Sequence, residues 1–200
     1  VNDSYKNQLI IFHEGAMQKS SSISLLQQPF LRESIKFACV SPDNYTAMLK
    51  WIQELNELAI PFIFDPGQVT PAYSSDALKD ILPKALLVIG NTFEINLIAK
   101  KLSTNIEGLL ALNHNLIITL GEKGSICYEH GKKYEISTCI PNKVMDPTGA
   151  GDGYRAGLLY GLLHDLSIHE ACLLGSTIGS FVVETIGPQT QTFSLSDVKL

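Results

Sequence analysis

The run Val144-Met145-Asp146-Pro147-Thr148-Gly149-Ala150-Gly151-Asp152-Gly153 carries the residue types and spacing with the most chemical content in this sequence. An extended apolar lead-in enters a turn of small residues and reaches an aspartate. After it, Tyr154-Arg155-Ala156-Gly157-Leu158-Leu159-Tyr160-Gly161-Leu162-Leu163 reads as a buried helix. Small residues ahead of a helix let backbone N–H groups point at an anion, and the helix dipole adds positive potential there. An aspartate in that place is odd if the only task is to hold a negative group. It suits a reaction in which Asp152 takes a proton from a hydroxyl while the amides of Gly149, Ala150 and Gly151 hold a phosphoryl group in transfer. The plainer alternative is a tight turn that packs a helix on a sheet. The dinucleotide fingerprint is not met, since Tyr154 stands where its last glycine belongs, and no Gly-x-x-x-x-Gly-Lys-Ser/Thr loop occurs.

Asp146-Pro147-Thr148-Gly149-Ala150-Gly151-Asp152 resembles the C-terminal signature of the ribokinase-like (PfkB) carbohydrate and nucleoside kinases. The resemblance implies an α/β fold, a three-layer α/β/α sandwich around a mostly parallel sheet with a small β lid. It also implies ATP-dependent phosphorylation of a nucleoside or sugar hydroxyl, with an anion hole at Gly149, Ala150 and Gly151 and the catalytic base at Asp152.

Other stretches extend the likeness. Asn91 and Glu94 stand at i and i+3, so both project the same way from a first helical turn, which suits the water shell of Mg²⁺. The alternative is a helix start with an acidic first turn. The family's Asn-x-x-Glu magnesium motif favours the metal. Thr119-Leu120-Gly121-Glu122-Lys123-Gly124 resembles the family's nucleotide loop, implying that Thr119, Gly121 and Gly124 line the ATP site; a strand-to-hairpin turn is the alternative. Asp146 and Thr148 precede the anion hole, where many members hold a monovalent cation, usually K⁺, and a carboxylate capping the turn is the alternative. Gly187-Pro188-Gln189 resembles the family's Gly-Ala-Gln near the adenine and the cation, with proline in place of alanine, so Gly187 and Gln189 join the nucleotide site. Asp65-Pro66-Gly67-Gln68, Phe12-His13-Glu14-Gly15-Ala16-Met17 and Asp146-Pro147-Thr148 resemble bacterial adenosine-kinase-like members, which makes adenosine the favoured acceptor and ribose, fructose or another sugar the second choice. Asp65 is expected in the phosphate and magnesium zone.

The elements that must position these residues alternate along the chain. Strands are expected at 36–40, 61–64, 86–89 and 116–120. Helices are expected from Asn44 through Leu58, from a cap at Asp76 through Leu82, from Thr92, at 151–164 and 167–184, and at the start of a last helix from Leu195. Apolar strands between helices imply a parallel sheet covered on both sides. Residues 125–128 and 133–136 flank a hairpin turn. Gln8–His13 reads as the end of the lid, followed by a turn at 14–17. The motifs then stand at the carboxyl ends of strands, where open α/β sheets bind ligands.

With 45% hydrophobic residues and 18% charged, the 200 residues make one globular domain, and a net charge of −5 argues against nucleic acid as partner. No apolar run is long enough to span a bilayer. Cys39, Cys127, Cys139 and Cys172 form no Cys-x-x-Cys pair and read as buried free thiols in a reducing cytosol; the five histidines show no metal-ligand spacing. Kinases of this family are longer, and their first third carries a Gly-Gly substrate motif not matched here. The chain is therefore expected to be the C-terminal two thirds of such an enzyme, one domain over 1–200 with 1–17 closing the lid and a homodimer formed through that lid. A non-catalytic nucleotide-binding remnant is the competing expectation.

Overall fold

The computed structural model describes residues 13–28 and 35–198. The lid strand expected from Gln8 lies outside the described residues, and so do Lys199 and Leu200. Where a turn was expected after His13, residues Gly15–Ser22 form a 3₁₀ helix.

Among the described residues, six strands form one sheet in sequence order: β1 (Ala38–Val40), β2 (Phe62–Phe64), β3 (Leu87–Asn91), β4 (Leu116–Thr119), β5 (Ser125–Glu129) and β6 (Lys132–Ile136). The first four run parallel, and β5 and β6 are antiparallel to their neighbours. The β5–β6 turn is only His130-Gly131, both with positive φ (50° and 79°), the backbone that a two-residue hairpin requires.

Side chains alternate between the faces of the sheet, as the strand period dictates. Phe62, Phe64, Val88, Leu116 and Ile118 face one layer, made of α1 (Tyr45–Glu57), α2 (Ser75–Ile81), α3 (Thr92–Lys101) and α4 (Ile106–Leu112). Ile63, Leu87, Ile89, Ile117 and Cys127 face α5 (Ala150–Leu163) and α6 (Ile168–Val182). The result is the expected three layers. α1 follows from Asn44, whose side chain accepts from Ala47 N–H, and from Met48, Ile52 and Leu55, which recur one turn apart and are buried.

Four local expectations are corrected. The cap of α2 is Ser74, which accepts from Ala77 N–H, and Asp76 lies inside the first turn. Helix α4, capped by Asn105, occupies a stretch with no expected element, and residues Leu195–Asp197 make a single 3₁₀ turn. Of the four free thiols, Cys127 and Cys172 are buried, Cys39 is half-buried and Cys139 is exposed.

Helices α5 and α6 meet along small residues. A Cβ on Gly157 would lie 2.7 Å from the Cα of Gly175, so the two backbones approach too closely for any larger side chain. This contact sets how closely α5 lies against α6.

Candidate active site

Helix α5 begins at Gly149, whose φ of 86° is left-handed and whose missing Cβ would meet the Cβ of Pro188 at 2.5 Å. The proline that replaces the family's alanine thus packs directly on the glycine turn. Ala150 N–H donates to Pro147 O at 3.2 Å. Helix geometry gives the N–H groups of Gly151 and Asp152 no partner within the helix. Asp152 is exposed in the first turn.

Two long-range contacts hold this helix start over the sheet edge. The hydroxyl of Tyr154 bonds to that of Ser125 at 2.8 Å. Arg155 grips Asp65, directly after β2, with two nitrogens: Nη2 donates to Oδ1 at 2.9 Å, and Nε donates to Oδ2. Asp65 is fully buried. Burial pushes its carboxyl above the ordinary range, and the Arg155 guanidinium pulls it back. For Arg155, burial opposes the charge, while Asp65 first and then Asp152 and Glu94 favour it; the net direction is upward. The guanidinium therefore stands in electrostatic reach of the carboxylates in the first turns of α5 and α3.

Asn91 and Glu94 form a capping box at the start of α3. Asn91 N–H donates to Glu94 Oε2 at 2.8 Å and Glu94 N–H to Asn91 Oδ1 at 2.9 Å, so each side chain closes the other's backbone. Asn91 is the register partner of Thr119 at the end of β4, and Thr119 that of Ser125. Beyond Thr119, residues Gly121–Lys123 make a 3₁₀ turn that ends at Gly124 with φ 86°; a Cβ there would fall 2.0 Å from Ile136 O, so only glycine fits. Gly121 faces open space.

Asp146 clasps two segments. Its Oδ1 accepts from Thr148 N–H at 2.9 Å and its Oδ2 from Gly187 N–H at 3.2 Å. Hydrogen bonds from Thr148, the largest effect, and from Gly187 hold its carboxyl below the ordinary range. The strand-like lead-in before it is not a strand: Val144 and Met145 are exposed, and Met145 N–H donates to Val183 O at 2.7 Å. Gln189 is exposed on the segment that Asp146 ties down.

The fold therefore brings Asp146, Thr148, Gly149, Ala150, Gly151, Asp152 and Gly187 together around one helix start, with Asn91, Glu94 and Thr119 along the adjoining sheet edge. Asp65 lies beside this helix start but is not free to meet a ligand directly: both its oxygens are taken by Arg155 and it is shut off from solvent. Arg155 itself was not foreseen. The available signal was a lone cation in a helix read as buried, which calls for a partner.

The profile of the pfkB family carbohydrate kinases matches residues 1–194. A nucleoside kinase of Methanocaldococcus jannaschii is 40% identical over 127 residues, which are 64% of this chain and 42% of that protein. One from Thermoplasma acidophilum is 30% identical over 195 residues, 97% of this chain and 61% of its own length. The solved structure of Burkholderia thailandensis nucleoside kinase in complex with inosine superposes with a TM-score of 0.85 at 31% identity, covering 95% of this chain and 62% of that one. The chain spans less than two thirds of the length of these relatives. Its helix start, sheet edge and sequence agree: the chain belongs to the pfkB family of carbohydrate kinases.

Proposed function

We propose that the protein is an ATP-dependent kinase that phosphorylates a hydroxyl of a nucleoside. The observation that carries this reading is the exposed Asp152 in the first turn of α5, directly after Gly149, Ala150 and Gly151 and within electrostatic reach of the Arg155 guanidinium. In the reaction the acceptor hydroxyl gives its proton to the Asp152 carboxylate. Its oxygen bonds to the γ-phosphorus of ATP, the bond from that phosphorus to the β–γ bridging oxygen breaks, and ADP leaves with the electron pair. The amides at the helix start meet the charge on the phosphoryl oxygens. Thr119, Gly121, Gly124, Gly187 and Gln189 line the rest of the ATP site.

Magnesium supplies charge neutralisation for the ATP phosphates. Asn91 and Glu94 would hold it through its water shell, because the capping box fixes both side chains at the sheet edge, Asn91 exposed and Glu94 half-buried. Among the described residues no group of three or more His, Cys, Asp or Glu could hold a metal directly. Asp146, kept ionised by its hydrogen bonds, and Thr148 would hold a monovalent cation, K⁺ by resemblance. Replacing K⁺ by a tetraalkylammonium ion should then lower the rate.

The nucleoside is favoured over a sugar because the relatives cited above are nucleoside kinases. Adenosine is the first candidate on the Asp65-Pro66-Gly67-Gln68 and His13-Glu14-Gly15-Ala16-Met17 stretches. Cytosolic placement and dimerisation through the lid belong to the same reading. Among the described residues no helix is long and apolar enough to cross a membrane. The test is a screen of nucleosides and sugars with ATP, using the full-length protein and its Asp152→Asn variant. Adenosine should turn over, and the variant should lose at least ~100-fold in kcat with ATP binding little changed. A variant with near-wild-type turnover would remove Asp152 as the base, and a protein inert to every acceptor would favour a nucleotide-binding remnant.

A further inference from the structure

Arg155 uses Nε and Nη2 for Asp65. The third nitrogen, Nη1, is directed elsewhere: a Cβ built on Gly151 would lie 2.7 Å from it. Nη1 therefore sits over Gly151, the second residue of α5, in the space that any other residue at 151 would fill. No acceptor among the described residues takes it. The guanidinium plane cannot swing away, because a two-point fork to a fully buried carboxylate fixes it.

The charges around this nitrogen give it a task. Asp152 and Glu94 both act on Arg155, so a phosphoryl group arriving at the helix start meets two carboxylates besides its own negative oxygens. A helix dipole supplies roughly half a positive charge, and the Mg²⁺ assigned above would stand on the Glu94 side, so the Asp152 side still calls for a fixed cation. A buried ion pair is also a poor stabilising device, since desolvation of its two ions consumes most of the Coulombic gain. The pair is better explained by where it leaves the third nitrogen.

We propose that Arg155 is a catalytic residue whose Nη1 donates to a γ-phosphoryl oxygen at the helix start, and that Asp65 is the positioning residue that holds the guanidinium there. This rests on the kinase reading above. As the acceptor oxygen attacks, charge spreads over the phosphoryl oxygens, and Nη1 meets it without reorganising. The proton goes to Asp152 and the leaving electron pair to ADP, as before; Arg155 stays protonated throughout. Lysine cannot reproduce this, because one ammonium group cannot both fork onto Asp65 and reach past Gly151.

The test uses the full-length protein with Arg155→Lys, Arg155→Gln and the double variant Asp65→Asn with Arg155→Gln. The double variant removes both charges and keeps polar atoms to bond one another, so it guards against a single variant that fails to fold. Binding of ADP and of a non-hydrolysable ATP analogue is measured by calorimetry, and kcat and KM are measured with the acceptor. The double variant should fold, bind the ATP analogue about 10-fold more weakly with ADP binding unchanged, and lose about 100-fold in kcat. Arg155→Lys should recover little of the loss. If the double variant folds and weakens both nucleotides equally, or keeps both kcat and the preference for the ATP analogue, the γ-phosphoryl contact is overturned. A wild-type protein that phosphorylates nothing sinks the kinase reading alone, because the nucleotide comparison still decides the contact. One that binds neither nucleotide overturns both.

Discussion

The carboxylates that follow β2 and end the first turn after β3 lie along one edge of one sheet, and they are held in opposite ways. Glu94 is tied to its own helix: its partner is three residues away, its carboxylate accepts from backbone, and the cap it makes needs no tertiary partner. Asp65 is tied to Arg155, separated by 90 positions, through side chains alone and out of contact with water. A local cap can be exposed because it costs little to solvate. A long-range ionic pair at the sheet edge can be sustained only if each charge finds the other, since one left alone is a buried unpaired ion. The first arrangement fixes where α3 starts. The second fixes where α5 lies relative to the sheet, and with it the position of Asp152.

The comparison breaks most visibly on loss of one partner. Arg155→Gln leaves the Asp65 carboxylate buried without its cation, and the fold should lose about 3 kcal/mol or more at neutral pH. The pH dependence has a definite sign. Burial raises the Asp65 carboxyl even with Arg155 present, and without Arg155 it rises further. An acid whose folded value lies above its unfolded value binds protons more tightly when folded. Stability then falls as pH rises through the window between the ordinary carboxylate value and the folded one. The deficit of Arg155→Gln against wild type should be smallest in acid and full at neutral pH in denaturant melts. A deficit independent of pH would mean that Asp65 is not left charged and alone.

The local cap should respond far less. Asn91→Ala removes the acceptor for Glu94 N–H and should cost about 1 kcal/mol of stability. Glu94→Gln keeps a side chain that can close a capping box, so melting should hardly move. If the same carboxylate orders the waters of Mg²⁺, Glu94→Gln should nevertheless raise the Mg²⁺ concentration needed for half-maximal rate. An unshifted titration with unshifted melting would leave Glu94 a helix cap only.

How far each arrangement can be read along the chain follows from the same contrast. Asn91 and Glu94 are visible as an i, i+3 pair beside a strand, and both the cap and the metal reading come from that spacing. The alternating faces of β2, β3 and β4 are equally plain, because Phe62-Ile63-Phe64 and Leu116-Ile117-Ile118 leave no polar face. Helix α4 escaped because seven residues, with Gly108 in the first turn, give too short a window for a helical period. Asp65 with Arg155 escaped because no spacing links a residue after β2 with one on α5; they meet only in the folded chain, 90 positions apart. Pro188 on Gly149 is hidden in the same way.

Asp146 combines the two cases, with one oxygen on Thr148 two residues away and the other on Gly187 across the site. Its carboxyl is held below the ordinary range, so the folded state favours the charged form. That contribution is fully present above the ordinary aspartate value, about 3.9, and is lost as pH falls through the lower folded value. Asp146→Asn keeps a neutral oxygen for one of the two N–H groups and loses the charge. The global effect should be the smallest of the set, since the group lies near the surface, but the local one can be read at a single amide. Hydrogen exchange at Gly187 should speed up in Asp146→Asn at neutral pH, and the difference from wild type should shrink only once the pH falls well below the ordinary aspartate value, about 3.9, and the wild-type carboxylate protonates. Equal exchange in the two proteins at neutral pH would show that Pro188, packed on Gly149, holds the 187–190 segment without help from the charge.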